Sequence, residues 1–138
     1  MVAAATILVV DDEPDLADVV ATALAMSGHT VETVGDGFAA LQELSRRPYD
    51  LVVSDVQMPR LNGLALYDRV AWSHPAMVGR FVFVSADVNR PAIRAFLNRT
   101  GVQVLQKPID IAALQQTVDM VLARAAARNR AREPADPM

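Results

Sequence analysis

The stretch DLVVSDVQMPRLNG, residues 50–63, decides the fold. Asp50 to Ser54 encloses an apolar, β-branched run without helical period, as expected of a strand buried on both faces. Asp55 stands at its carboxyl end, and the loop QMPRLNG leads away from it. A short apolar strand that delivers a carboxylate to its end is characteristic of a parallel sheet, where ligands bind outside the carboxyl ends of the strands.

The same pattern occurs on either side. Upstream, Thr6 to Val10 (TILVV) is a strand that ends abruptly at Asp11-Asp12-Glu13. From Pro14 to Ser27, Leu16, Val19, Val20, Ala23 and Leu24 recur at helical spacing, with Pro14 suited to the first turn and Gly28 to the exit. Thr30 to Val34 predicts a second strand, Gly35-Asp36-Gly37 a turn, and Phe38 to Arg46 a second helix that Pro48 stops. Downstream, a helix is expected from about Leu64 to Trp72, and Arg80 to Val84 (RFVFV) is a fourth strand followed by Ser85-Ala86-Asp87. Pro91 to Asn98 gives a fourth helix closed near Gly101, and Val102 to Leu105 a fifth strand before Lys107-Pro108. Asp110 can cap a last helix to about Ala127, with Ile111, Leu114, Val118, Val121 and Leu122 on one face. Five strands alternating with five helices predict an α/β fold, its mostly parallel sheet covered on both faces by right-handed crossovers.

The 138 residues, 52% apolar and 21% charged, are enough for one core. The domain is expected over residues 1–123, with residues 124–138 a helix end and a disordered Ala/Arg-rich tail; the last part, RNRAREPADPM, has no apolar period. The N-terminal MVAAATILVV lacks a basic leader and is expected to be a strand instead of a signal peptide. No apolar run approaches the roughly 20 residues that span a bilayer. The absence of cysteine is compatible with a reducing cytoplasm, the expected location. A formal net charge of −3 gives no general attraction to nucleic acid. Of 13 basic residues, Lys107 is the single lysine. An ammonium and a guanidinium are not equivalent at a tight anion site.

If the strands alternate as expected, Asp11, Asp12, Asp55, Ser85 and Lys107 meet on one edge of the sheet. Three carboxylates there repel one another by ~4 kcal/mol per pair at ~4 Å and an effective dielectric near ~20. A divalent cation, Mg²⁺ or Mn²⁺, is the natural compensation. Asp12 and Asp55 are the candidate direct ligands, Asp11 a ligand through water, and the Gln57 carbonyl a backbone ligand. Without metal, at least one carboxylate should have a raised pKa. A carboxylate can attack phosphorus if the repulsion between anions is offset, which points to Asp55 as a phosphoacceptor. Lys107 and the Ser85 hydroxyl would then contact phosphoryl oxygens.

The segments DDE, SDVQMPRLNG, SAD and QKP, in this order, resemble the receiver domain of two-component response regulators, over about residues 5 to 123. The resemblance implies a flavodoxin-like, doubly wound sheet of order 2-1-3-4-5. It also implies a histidine kinase or phosphotransfer protein as phosphoryl donor and a cis Lys107-Pro108 bond. Gln57 and Asp87 would tune autodephosphorylation. Phosphorylation would alter the surface of helix four, strand five and helix five, where a downstream protein or a second phosphorylated copy binds. No membrane or nucleic-acid partner is implied. The domain would assist its own phosphorylation and dephosphorylation without being an enzyme in the usual sense.

One position departs from the family. Three residues before the lysine the family commonly has Tyr or Phe, and this chain has Val104. That leaves room for a receiver-like binding module independent of phosphorylation. A Mg²⁺-dependent phosphohydrolase of the haloacid-dehalogenase type also uses an aspartate nucleophile. It calls for D-x-D after the first strand and a cap, whereas Asp11-Asp12-Glu13 are adjacent acids, the expected nucleophile is on strand three and little length is spare for a cap.

Overall fold

Side chains along a strand point alternately to the two faces of a sheet, so an apolar strand needs helices on both sides. The computed structural model, which describes residues 3–132, meets that demand. Its elements are β1 (Thr6–Val10), α1 (Pro14–Met26), β2 (Thr30–Val34), α2 (Gly37–Arg46), β3 (Leu51–Asp55) and α3 (Gly63–Ser73). A 3₁₀ turn (Pro75–Met77), β4 (Phe81–Ser85), α4 (Pro91–Thr100), β5 (Gln103–Gln106) and α5 (Ile111–Arg132) follow. All pairings are parallel, and the strand order is β2-β1-β3-β4-β5.

The alternation divides the core. Ile7, Val9, Leu51, Val53, Val82 and Val84 pack beneath α1 and α5. Leu8, Val10, Val52, Phe81 and Phe83 pack beneath α2, α3 and α4. On the second face Tyr67, Phe81, Phe83 and Phe96 form an aromatic cluster, with Tyr67 and Phe96 edge to face at 5.2 Å and Phe83 and Phe96 at 5.6 Å. Such pairs contribute about 0.5–1.5 kcal/mol beyond area burial. Through Phe96 they tie α4 to the strand that carries Ser85.

Two expected boundaries move in a way that bears on the site. β3 and β4 each run one residue further than expected, so Asp55 and Ser85 are ladder residues, opposite Val84 and Gln106. The next backbone group still finds an acceptor across the sheet, Val56 N–H donating to Val84 O at 3.0 Å. Both side chains therefore rise from hydrogen-bonded strand.

The larger difference is at the C-terminal end. The expected disorder from Arg128 onward does not hold for residues 128–132, because α5 continues unbroken across residue 123 to Arg132. Alanine and arginine are strong helix formers, so a helix persists there without an apolar stripe. Arg128 Nη2 also donates to Gly79 O at 3.0 Å, fastening the extension to the loop before β4. Gly79 has φ +83, and a Cβ there would collide with that guanidinium. Residues 133–138 of the expected tail lie outside the described residues.

Gly63 starts α3 where the chain returns to the sheet. Its N–H donates to Val56 O at 2.8 Å. A Cβ would collide with the Asp55 carbonyl oxygen and lie 3.0 Å from Phe83 Cε1. Gly63→Ala should therefore destabilise the domain by about 1–3 kcal/mol through overpacking. Gly35, where an added Cβ meets nothing within 4 Å, is the control, and Gly35→Ala should change stability by no more than ~0.5 kcal/mol. Urea denaturation midpoints of the two variants check this contrast.

Candidate functional site

Parallel register brings the carboxyl ends of β1, β3, β4 and β5 to one edge, and each contributes there. Asp11 follows β1, its N–H still donating to Val34 O of β2 at 3.1 Å. Its Oδ1 accepts from the Glu13 N–H at 2.9 Å, which turns the chain into α1. Asp11 is buried and Asp12 exposed. Asp55 ends β3 with 4% exposure. Oxygens of Asp11, Asp12 and Asp55 all lie within 4.8 Å of one another.

Both Asp55 oxygens have partners. Oδ1 accepts from the Gln57 N–H at 3.1 Å, and Oδ2 from Lys107 Nζ at 3.0 Å. The ammonium crosses from the end of β5 and is itself only 20% exposed. Its own backbone N–H donates to Ser85 O at 2.9 Å, which fixes its origin against β4. The Lys107-Pro108 bond is cis, as the resemblance implies.

The electrostatics follow from this packing. Burial raises the Asp11 pKa more than the Glu13 amide lowers it, and the Asp55 charge raises it further. A raised carboxylate is thus present at this edge, with burial as its first cause and the neighbouring Asp55 charge a smaller one. For Lys107, burial pulls the pKa down, but the hydrogen bond and charge of Asp55, with Asp11 and Glu13, outweigh it and hold the ammonium above its ordinary value. One ammonium against three carboxylates leaves negative charge uncompensated. The donor set, all hard oxygens with one ligand exposed to solvent, fits a hydrated divalent cation of the Mg²⁺ or Mn²⁺ type.

Ser85 is present at this edge but engaged elsewhere. It is fully buried, and its hydroxyl exchanges hydrogen bonds with Asp87, accepting from the backbone N–H and donating to the carbonyl at 3.2 Å. Gln57 is held to Asp55 through its amide N–H. Val104 is half-buried and packs on the α2–α3–α4 side of the core.

Two contacts at this edge are not signalled by the sequence pattern. Glu13 Oε1 lies 3.7 Å from Lys107 Nζ, adding a fourth carboxylate to the ammonium's surroundings. Only its place directly after the acid pair hints at this. Arg60, at φ 67, places the β3–α3 loop with a 2.8 Å bond to Asp36, which caps α2. Nothing in sequence spacing joins residues 36 and 60. His29 lies away from this edge, its Nδ1 accepting from the Ala5 N–H at 3.0 Å.

Comparison with known proteins agrees with this arrangement. A family model described as the response regulator receiver domain matches residues 7–119. The transcriptional regulatory protein GlrR of Escherichia coli is 31% identical over 122 residues, 88% of this chain and 27% of that protein. The nitrogen assimilation regulatory protein NtrX of Azorhizobium caulinodans is 32% identical over 129 residues, 92% of this chain and 28% of that protein. The chain thus spans little more than a quarter of the length of these regulators. Among solved structures, NtrX from Brucella abortus in complex with ADP superposes with a TM-score of 0.86 at 29% identity, covering 99% of this chain and 31% of that one. The chemotaxis response regulator CheY4 of Vibrio cholerae superposes with 0.77 at 26% identity, covering 86% of this chain and 99% of that one. With its sheet order, acid cluster and lysine in place, the chain belongs to the response regulator receiver domain family of two-component signalling.

Proposed function

We propose that Asp55 is the phosphoacceptor of this receiver domain, with Ser85 and Lys107 as the groups that meet the phosphoryl oxygens. The observation that carries this is the buried Asp55 carboxylate, held by Lys107 at 3.0 Å beside Asp11 and Asp12. The donor is a histidine kinase or a histidine phosphotransfer protein. Asp55 attacks phosphorus, the P–N bond to the donor imidazole breaks, and its electron pair leaves on that nitrogen. Lys107 transfers its hydrogen bond from Asp55 to a phosphoryl oxygen, and Ser85 exchanges its Asp87 contact for another.

Asp12, Asp55 and the Gln57 carbonyl would hold the cation, with Asp11 acting through water. When bound, Mg²⁺ supplies positive charge that lowers the repulsion between the acceptor and the incoming phosphoryl group. Gln57 and Asp87 lie in the loops that leave Asp55 and Ser85, where they can position the water that later hydrolyses the aspartyl-phosphate. The output is a changed surface on α4, β5 and α5, read by a downstream protein. Val104 has no ring to rotate, so release of Ser85 from Asp87 would act on the loop into α4.

Incubation with Mg²⁺ and phosphoramidate should add one phosphoryl mass to the wild-type chain and none to Asp55→Asn, measured by intact-protein mass spectrometry. Equal modification of both would remove Asp55 from the acceptor role.

The charge balance makes opposite predictions for two neighbours. Asp12→Ala should weaken Mg²⁺ binding at least about tenfold, equivalent to ~1.4 kcal/mol. Lys107→Met removes a cation from the same acidic edge and should tighten it severalfold. Calorimetric Mg²⁺ titration of both variants at neutral pH checks the pair of signs.

A further inference from the structure

Gln57 belongs to two surroundings at once. Its N–H holds Asp55 Oδ1 at 3.1 Å, and the residue also lines a cavity of about 440 Å³ with Val56, Met58, Asn62, Arg90 and Ile93. The cavity lies between the loop that leaves Asp55 and the start of α4. Its volume is many times the ~30 Å³ of one water, so a small anion enters it with its hydration. No carboxylate lines it. Among the described residues Arg90 forms no ion pair. Asp11 and Asp12, which repel anions, follow β1, and β1 flanks β3 on the side opposite β4. A negative group leaving toward α4 would therefore meet Arg90 and a single carboxylate, Asp87, whose Oδ1 already accepts from the Asn89 N–H at 3.0 Å, whereas toward β1 it would meet two.

We infer that this cavity is a leaving-group subsite, in which Arg90 receives the carboxylate released when an acyl phosphate phosphorylates Asp55. The inference rests on Asp55 being the acceptor. An Asp55 oxygen forms the bond to phosphorus, the bond from phosphorus to the acyl oxygen breaks, and the electron pair leaves on that oxygen as a carboxylate. No proton is transferred. Negative charge grows on the leaving oxygen during the reaction, and a guanidinium fork matches a carboxylate. A contact that strengthens as that charge develops speeds the step. Phosphoramidate provides the contrast. Its P–N bond breaks with the pair leaving on nitrogen, and the protonated amino group departs as neutral ammonia, which offers Arg90 nothing to hold. Arg90 thus sets donor preference without touching the acceptor.

The test compares phosphorylation rate constants for acetyl phosphate and phosphoramidate at saturating Mg²⁺ and constant ionic strength. Arg90→Ala should slow acetyl phosphate about fivefold, the scale of one exposed charge contact, and leave phosphoramidate within about twofold. Arg90→Lys keeps the charge and should recover most of the acetyl phosphate rate. Arg94→Ala removes the same charge one turn along α4, at an exposed position outside the cavity, and should leave the ratio of the two rates unchanged. Equal slowing with both donors, no slowing with either, or an Arg94→Ala effect as large as that of Arg90→Ala would overturn the subsite. Each of those failures leaves phosphoramidate labelling of Asp55 intact. Absence of labelling in the wild-type chain with either donor would instead remove the acceptor, and the subsite with it.

Discussion

Taking a carboxylate out of water is costly unless a cation or hydrogen-bond donors meet it. In this chain the 3.0 Å contact between Lys107 Nζ and Asp55 Oδ2 meets that demand, and much of the architecture serves to make it. The two residues are 52 positions apart, and three strands must be in register before they touch. β3 ends at Asp55, β4 lies beside it, and β5 hands the chain to Lys107 one residue past the ladder. Gly63 lets α3 start against the Asp55 carbonyl, where any side chain would push the Asp55 backbone away. The pair leaves the carboxylates of Asp11, Asp12 and Glu13 in excess. An excess of hard oxygen ligands at the end of a rigid sheet favours a divalent cation and, with it, a phosphoryl group.

The same sheet carries the consequence outward. Phe83 stands two residues before Ser85 and packs against Phe96 of α4, so α4 is tied by its apolar face to the strand that carries the hydroxyl. The polar connection between them, Ser85 to Asp87, is instead made of two 3.2 Å hydrogen bonds. Long bonds of this kind exchange at small cost. In a domain with valine at position 104, movement is expected in this short polar loop, with the aromatic packing holding α4 as a unit.

Much of the fold was legible because burial on both faces leaves a simple mark. ILVV, LVV and FVFV are apolar throughout, and each leads within two residues to a polar residue at the carboxyl edge of the sheet. The members of the site were legible for the same reason, since strand alternation brings together residues that sequence separates. What was not legible depends on three-dimensional approach. The tie of Arg60 to Asp36 and the contact of Glu13 with Lys107 have no periodic signature, and the Ser85–Asp87 exchange involves backbone atoms that any residue supplies. The helical course of residues 128–132 carries no apolar period to betray it; the helix formers of that segment and the Arg128–Gly79 bond suffice to hold it. Arg90 gave no signal among twelve arginines, and only the cavity beside Gln57 distinguishes it.

Borohydride trapping reads which residue receives the phosphoryl group. Borohydride reduces an acyl phosphate on aspartate to the alcohol, so the phosphorylated chain can be digested and its modified residue located by peptide mass spectrometry. Homoserine is expected at position 55 and nowhere else, formed only after exposure to the phosphodonor and Mg²⁺. Reduction at Asp11 or Asp12, or a borohydride-resistant phosphate on Ser85, would contradict that expectation.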